Sequence, residues 1–288
     1  MDLKNIKKIA FQGVKGAYSD LACRTVFPTL ETLACNAFDD AFTAVENKEA
    51  DLAMIPVDNT IAGRVADVHH LMPKGELFII GEHFQPIRHT LLGIKGSKIE
   101  NLKHVHSHIH AIPQCKKIIQ QLGLTTHIHA DTAGAAQEIA QKNDPEHAAI
   151  ASELASSIYD LKVLKNDVQD EHHNTTRFLI LSPEPEIPDE DVETITSLIF
   201  SVRNIPASLY KCLGGFATNG LSLSKLESYV DPNFQAAQFF CDIDGHPESD
   251  NFKLALEELG FYANDVKFLG AYPAHPFRAH NSKNGSIN

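Results

Sequence analysis

Short apolar runs alternate with stretches of helical periodicity from the start of the chain. Lys8 to Phe11 predicts a strand, Tyr18 to Phe27 a helix, Leu30 to Asn36 a strand, Phe38 to Asn47 a helix and Leu52 to Pro56 a strand. The alternation resumes after Leu91, with strand His104 to His106, helix Ala111 to Leu122, strand Thr126 to His129, helix Thr132 to Gln141 and strand Ala148 to Ala151. Repeated β-α-β order implies α/β architecture, with mostly parallel strands and helices on their faces. Between the two blocks, Leu77 to His83 and Arg88 to Ile94 read as consecutive strands with no helix, as where a chain crosses from one lobe to another. Phe178 to Leu181 reads as a strand returning.

The segment Ser182 to Glu193, SPEPEIPDEDVE, holds three prolines and six acidic residues with little to bury, the composition of an exposed, stiff linker. It separates a first domain, 1–182, from a second, 194–275, with 183–193 between them and a polar tail, 276–288, that is expected to fray. In the second domain the pattern is strand Thr194 to Val202, helix Ala207 to Thr218 opened by Pro206, strand Leu221 to Val230, strand Gln235 to Asp244, helix Asn251 to Leu259 and strand Val266 to Ala271. That order, βαββαβ, is the split ferredoxin-like α+β unit.

Composition narrows the function classes. With 288 residues, 43% of them hydrophobic, the chain has enough apolar material for these cores. A formal charge of -12 without a basic cluster argues against nucleic acid and against anionic lipid. No window approaches the run of about 20 apolar residues that a membrane span needs, and Met1 to Lys8 is charged, so a cytoplasmic location is expected. Cys23, Cys35, Cys115, Cys212 and Cys241 are odd in number, scattered and never in a C-x-x-C pair, which predicts reduced, buried thiols.

Four segments concentrate polar groups where strands end. Gly13 to Ser19 (GVKGAYS) sits at a strand-to-helix turn, where free backbone N–H groups can meet an anion, although glycine pairs are also routine turn geometry. Pro56 to Arg64 (PVDNTIAGR) places Asp58, Asn59 and Thr60 just past a strand end, the usual ligand edge of open α/β sheets. In Ser107 to Cys115 (SHIHAIPQC), Ser107 can cap a helix and Gln114 lies two turns along it. Asn174 to Phe178 (NTTRF) gathers an amide, two hydroxyls and a guanidinium that can converge on a small anion. The alternate histidines His104, His106, His108 and His110 would suit zinc if several faced one point, but a change from strand to helix midway is expected to scatter them, so no metal site is predicted.

Taken in order, the four segments resemble the motifs of the prephenate dehydratase family: G-x-x-G-x-x-S at Gly13 to Ser19, P-x-E-N-S at PVDNT, S-H-P-Q-A-x-x-Q-C at SHIHAIPQC and N-x-T-R-F at NTTRF. The intervening HADTAGAAQEIA and AAIASELASSIYDL are similar to the family too, and the likeness runs through the C-terminal domain. The resemblance implies a two-lobed, periplasmic-binding-protein-like catalytic domain with mixed sheets and its site in the cleft, followed by an α+β ACT domain of ferredoxin-like fold. It implies Thr176 as the catalytic residue, with Ser19, Asn59, Thr60, Ser107, Gln114, Asn174, Thr175 and Arg177 around the substrate and Asp58 and Asp131 in support. In the ACT domain it implies a phenylalanine site at Asn204, Ala207, Ser208, Leu209, Glu227 and Ser228. The sequence departs from the family pattern at Asp58 (usually Glu), at Thr60 (usually Ser), and in the ACT motifs, where P-G-A-L stands as Pro206-Ala207-Ser208-Leu209 and E-S-R-P as Glu227-Ser228-Tyr229-Val230.

The activity so implied converts prephenate to phenylpyruvate, carbon dioxide and water, with phenylalanine as effector and a homodimer or homotetramer as the assembly. Aromatisation drives the reaction, and the difficulty is the poor hydroxide leaving group, which a positioned donor assists. No step calls for redox equivalents, a metal or an activated phosphate, so no cofactor is expected. Arogenate, the amino analogue, is the competing substrate. A non-catalytic small-acid binding protein and a histidine-based metal hydrolase are the rival classes.

Overall fold

A computed structural model of the chain describes residues 6–203, 205–230 and 236–279. These fall into two compact units. The first runs to Val68 and again over His83–Phe178; the second takes His69–Glu82 and the chain from Leu179 onward.

From Lys8 to Ser182 the predicted order is realised as β1 (Lys8–Gln12), α1 (Tyr18–Val26), β2 (Glu31–Cys35), α2 (Phe38–Glu46) and β3 (Leu52–Asn59), then a two-residue β4 (Gly63–Arg64) and α3 (Ala66–Leu71). After β5 (Phe78–Pro86) and β6 (Thr90–Gly93) come β7 (His104–His108), a 3-10 turn at Pro113–Cys115 leading into α4 (Lys116–Gln121), β8 (Thr125–His129) and α5 (Thr132–Lys142). β9 (His147–Ala151), α6 (Glu153–Ile158), β10 (Lys162–Lys165) and β11 (Thr175–Ser182) complete it. One sheet has the order β2-β1-β3-β11-β5, and a second has β10-β6-β9-β7-β8.

Parallel pairs join β1 to β2 and β3, and β7 to β8 and β9, as β-α-β order requires. The sheets are mixed, as the resemblance implies, and the reading of mostly parallel strands from β-α-β order is corrected at β6, which pairs antiparallel with both β9 and β10: it enters straight from β5 without a crossover helix. Two strands also run further than their apolar cores suggest. β3 continues through Pro56 to Asn59, and β11 begins at Thr175, so the polar ends of both are held in extended backbone.

The second unit carries β12 (Thr194–Val202), α7 (Ser208–Thr218), β13 (Ser222–Val230), β14 (Ala236–Asp244), α8 (Asp250–Tyr262) and β15 (Ala263–Pro273), in the sheet order β13-β14-β12-β15 with antiparallel neighbours. Gln235, predicted to open the third of these strands, lies outside the described residues. One sheet face packs Leu198, Phe200, Phe239 and Cys241 against Phe216, Phe252 and Leu259 of the two helices.

Alternation along the strands puts Ser197 and Asp242 on the other face, where a polar network forms. Ser197 Oγ donates to Asp242 Oδ1 at 2.6 Å, and Tyr272 OH lies 2.9 Å from Ser197. Arg278 reaches Asp242 Oδ2 at 3.7 Å and binds the fully buried Glu82 carboxylate with both Nε and Nη2, at 2.6 and 2.9 Å. The start of the tail is therefore anchored rather than frayed, because Arg278 compensates two buried carboxylates. Gly270, at φ +151°, lies so close to the Ile79 backbone that a Cβ would collide with it, and Lys267 Nζ donates to the carbonyls of Pro73 and Gly75 at 2.9 and 2.5 Å.

All five cysteines are buried and free, as predicted. Among the described residues no helix is long and apolar enough to cross a membrane.

Candidate active site

Four of the predicted site residues meet in the first unit through a chain of neutral hydrogen bonds. Asn59, the last residue of β3, turns its Oδ1 back to accept from the Ile61 and Ala62 N–H groups at 2.9 and 2.7 Å. That fixes the amide orientation, and its Nδ2 donates to Asn174 Oδ1 at 2.7 Å and to Thr176 Oγ1 at 2.9 Å. Asn174 in turn donates to Gln114 Oε1 at 2.7 Å, and Gln114 Oε1 also faces His89 Nε2 at 3.0 Å.

The direction of each bond follows from its neighbours. Gln114 Oε1 can only accept, so His89 carries its proton on Nε2 and presents the Nδ1 lone pair to Tyr18 OH, 2.8 Å away, whose single proton is also within reach of Arg88 O at 2.8 Å. Burial lowers the His89 pKa from its ordinary value, which keeps the ring neutral, and the hydrogen bond to Gln114 opposes that only in part. At the other end Thr176 accepts from Asn59, which leaves its own hydroxyl proton available to a ligand. Thr176 is 9% exposed, so that proton is offered in a site largely stripped of water.

His89 and Tyr18 were not singled out from sequence. His89 lies inside the predicted strand Arg88 to Ile94, in a segment without a motif, and its role depends on contacts far along the chain. Tyr18 lies inside the first motif, but nothing local distinguishes it from an ordinary helix-start aromatic.

The NTTRF segment does not converge as a whole. It forms the start of β11, and strand alternation puts Asn174 and Thr176 on one side and Thr175 and Arg177 on the other. Arg177 is buried, with Nη1 3.8 Å from Asp58 Oδ2, so Asp58 and Arg177 form an ion pair on the side away from Thr176. Thr60 clamps the backbone, its hydroxyl donating to His173 O at 2.9 Å and accepting from Thr175 N at 3.0 Å.

Ser107 is no helix cap. It belongs to β7, is fully buried, and donates to Ile150 O on β9 at 2.6 Å. The strand continues to His108 and helical turns begin only at Pro113, which leaves Gln114 free of the helix face predicted for it.

The Gly13 to Ser19 turn is likewise not an open anion cradle at its glycines. The N–H groups of Gly13, Gly16 and Ala17 are bound to Cys35 O, the Asp20 carboxylate and Val14 O. Gly16, at φ +88°, serves a close approach, since a Cβ would press on Ala155 at 3.2 Å, and Ser152 Oγ donates to Gly16 O at 2.6 Å. Ser19 is buried on α1. Asp131 caps α5 through Gly134 N at 2.7 Å. A cavity of 310 Å³ borders Tyr18, with Gln85, Thr90, Glu153 and an Arg88–Asp167 ion pair of 3.0 Å in its lining.

In the second unit, Ala207 precedes α7 in a left-handed conformation, φ +60°, with Ser208 and Leu209 in the first turn of that helix. Glu227 and Ser228 lie on β13, and Asn204 lies outside the described residues.

The family model for prephenate dehydratase matches residues 9–186, which contain all of the chain from Tyr18 to Thr176. The chain belongs to the prephenate dehydratase family. Members of this family are carbon–oxygen lyases of aromatic amino-acid biosynthesis. A bifunctional N-acyl-homoserine lactone acylase/prephenate dehydratase from Komagataeibacter europaeus is 46% identical over 272 residues, 94% of this chain and 97% of the relative. Arogenate dehydratase 2 of Petunia hybrida is 38% identical over 93% of this chain and 72% of its own. Among solved structures, the prephenate dehydratase of Arthrobacter aurescens in complex with L-Phe has a TM-score of 0.84 at 26% identity, covering 97% of this chain and 99% of that one.

Proposed function

We propose that this chain catalyses the decarboxylating dehydration of prephenate, with Thr176 as the proton donor to the departing ring hydroxyl. The carbon–carbon bond to the ring carboxylate breaks, its electron pair enters the ring, and the carbon–oxygen bond to the hydroxyl breaks on the opposite carbon. Carbon dioxide leaves, the departing oxygen takes the Thr176 hydroxyl proton and leaves as water, and Thr176 takes a proton back from solvent, so that one proton is consumed per turnover. The ring becomes the phenyl group of phenylpyruvate.

The observation that carries this reading is the 2.9 Å bond from Asn59 Nδ2 to Thr176 Oγ1. With one lone pair taken by a fixed donor, the threonine hydroxyl keeps its proton for a ligand and needs no charge of its own to give it. Asn174 and Gln114 hold the amides in register, Asp58, Thr60, Thr175 and Arg177 brace the strands beneath, and Ser19, Ser107 and Asp131 support the surrounding backbone. Neutral donors suit this step: an ionised acid cannot give a proton, and a cation would bind the reacting carboxylate too firmly in the ground state. The chemistry requires no cofactor.

The similarity to a petunia arogenate dehydratase keeps arogenate as the second candidate substrate. Purified enzyme is incubated separately with prephenate and with arogenate, and phenylpyruvate and phenylalanine are followed. The higher kcat/KM on prephenate is expected. Turnover of neither diene above the buffer rate rejects the activity, and preference for arogenate reassigns the substrate.

The domain limits that accompany this reading are a catalytic domain at 1–182, a linker at 183–193, an ACT regulatory domain at 194–275 and a tail at 276–288, in a cytoplasmic homodimer or homotetramer. Phenylalanine, bound in the Arthrobacter relative, is the effector, with Asn204, Ala207, Ser208, Leu209, Glu227 and Ser228 as its site. Calorimetric binding of phenylalanine with a matching fall in turnover is the expected result.

A further inference from the structure

The histidines do not scatter. β7 extends through His108, and in register with β8 it sets His106 opposite His127 and His108 opposite His129, while β9 sets His147 opposite His104. Residues two apart share a strand face, so His104, His106, His127, His129 and His147 all lie on one side of the sheet. None of them belongs to the hydrogen-bonded chain that ends on Thr176.

His106 occupies the centre, only 3% exposed. Its Nδ1 lies 2.8 Å from His129 Nε2 and its Nε2 2.8 Å from His147 Nδ1. Carboxylates stand at both ends: Glu138 Oε2 is 3.3 Å from His129 Nδ1, and Asp144 Oδ2 is 3.7 Å from His147 Nε2. A second imidazole pair, His104 and His127, meets at 3.1 Å, with the His127 ring stacked on His106 at 4.4 Å.

With all three central rings neutral, the protons can run in either of two orders, from His147 through His106 and His129 to Glu138 or from His129 through His106 and His147 to Asp144. In either order the carboxylate at the other end, Asp144 or Glu138, faces a bare imidazole lone pair, so the cluster is short of positive charge. His106 is buried within hydrogen-bond distance of two further imidazoles, and imidazole is the commonest side-chain ligand for transition metals. One ligand atom each from His106, His129 and Glu138 lies within 4.8 Å of the others, and tetrahedral zinc sets such atoms about 3.3 Å apart, within reach of small side-chain rotations. Lys142 opposes a cation there; Glu138 and Asp144 offset it.

We propose that this cluster binds a divalent transition-metal ion of borderline softness, zinc above all, through His106, His129 and Glu138, with water in the fourth position. Imidazole and carboxylate together favour such ions over calcium or magnesium. The site is separate from the dehydration chemistry.

The test uses the full chain without a polyhistidine tag, stripped with chelator and titrated with zinc chloride against a chromogenic zinc indicator. Cobalt(II) is added in parallel, and its visible d–d bands report geometry. Saturable binding of one zinc per chain in the micromolar range or tighter, with tetrahedral cobalt bands, is expected. Glu138→Gln should weaken zinc about 10-fold, the size of effect typical around metal sites. His129→Gln should abolish the cobalt bands, and Thr176→Ala should bind like the parent. Circular dichroism checks that each variant folds; His129 and Glu138 are partly exposed, so these variants keep the test open even if the buried His106→Gln misfolds. Absence of saturable binding, or binding that neither His129→Gln nor Glu138→Gln alters, overturns the proposal.

Discussion

Two polar networks, one in each unit, are built on opposite principles. The chain from Tyr18 through His89, Gln114, Asn174 and Asn59 to Thr176 contains no full charge, and each link is oriented by the one before it. The network around Arg278 joins it to Glu82 and Asp242, two carboxylates with fully buried side chains. A neutral chain can aim one hydroxyl without committing local charge, which a reaction that moves charge requires. A charged network holds tightly but tolerates no missing member, because each remaining ion would be left in a low dielectric. The first is organised for chemistry and the second for holding a segment in place.

The contrast breaks most plainly at Thr176. Thr176→Ala is expected to lower kcat with prephenate by about 10² to 10⁴ while leaving the unfolding midpoint near that of the parent, the range typical of losing a positioned proton donor. Asn59→Ala should lower kcat in the same direction by a smaller factor, since the hydroxyl remains but is no longer aimed. Equal turnover in Thr176→Ala and parent would remove the donor role.

Arg278→Ala should do the reverse. It is expected to cost about 3 to 5 kcal/mol in urea unfolding, the usual penalty for breaking a buried ion pair, with kcat per folded molecule unchanged. The double variant Arg278→Met/Glu82→Gln should recover part of that loss. A loss of turnover without a loss of stability would mean that this network serves the chemistry.

A pH series sharpens the comparison. The His89 pKa is lowered by burial, so the folded state binds a proton later than the unfolded chain does. The stability that neutrality confers is complete above the ordinary value of 6.5 and is lost as pH falls from there toward the lowered folded-state pKa. Turnover should hold through pH 6.5 and fall only below it, as protonation puts a full charge into the otherwise neutral chain. In His89→Gln the acid loss of stability should shrink, as measured by unfolding at a series of pH values.

The smallest effect concerns the backbone. Ala207 sits at φ +60°, where a Cβ costs about 1 to 2 kcal/mol, and the family pattern has glycine at this position. Ala207→Gly should therefore raise stability by about 1 kcal/mol, with dehydratase turnover unaltered.

The apolar runs were short and cleanly bounded, so nearly every strand and helix of both units could be read from the sequence. What escaped was small or amphipathic: β4, α3, α6 and β10 bury too little in isolation to show a pattern. In the candidate site, Asn59, Asn174 and Thr176 were legible because polar side chains cluster where strands begin or end, and Gln114 through the resemblance to the family's motif. His89 was not, since its importance lies in a bond to Gln114, 25 residues away along the chain.

By itself the sequence determined the alternating elements, the βαββαβ unit and the motifs that mark the family, because local propensity and hydrophobic period are properties of neighbouring residues. Only the tertiary structure decided which side of β11 each motif residue faces, that Ser107 is a buried strand residue, that Arg278 is anchored, and that five histidines share one face. Those outcomes depend on strand register and on partners distant along the chain, and a one-residue change of register would reverse every facing side chain.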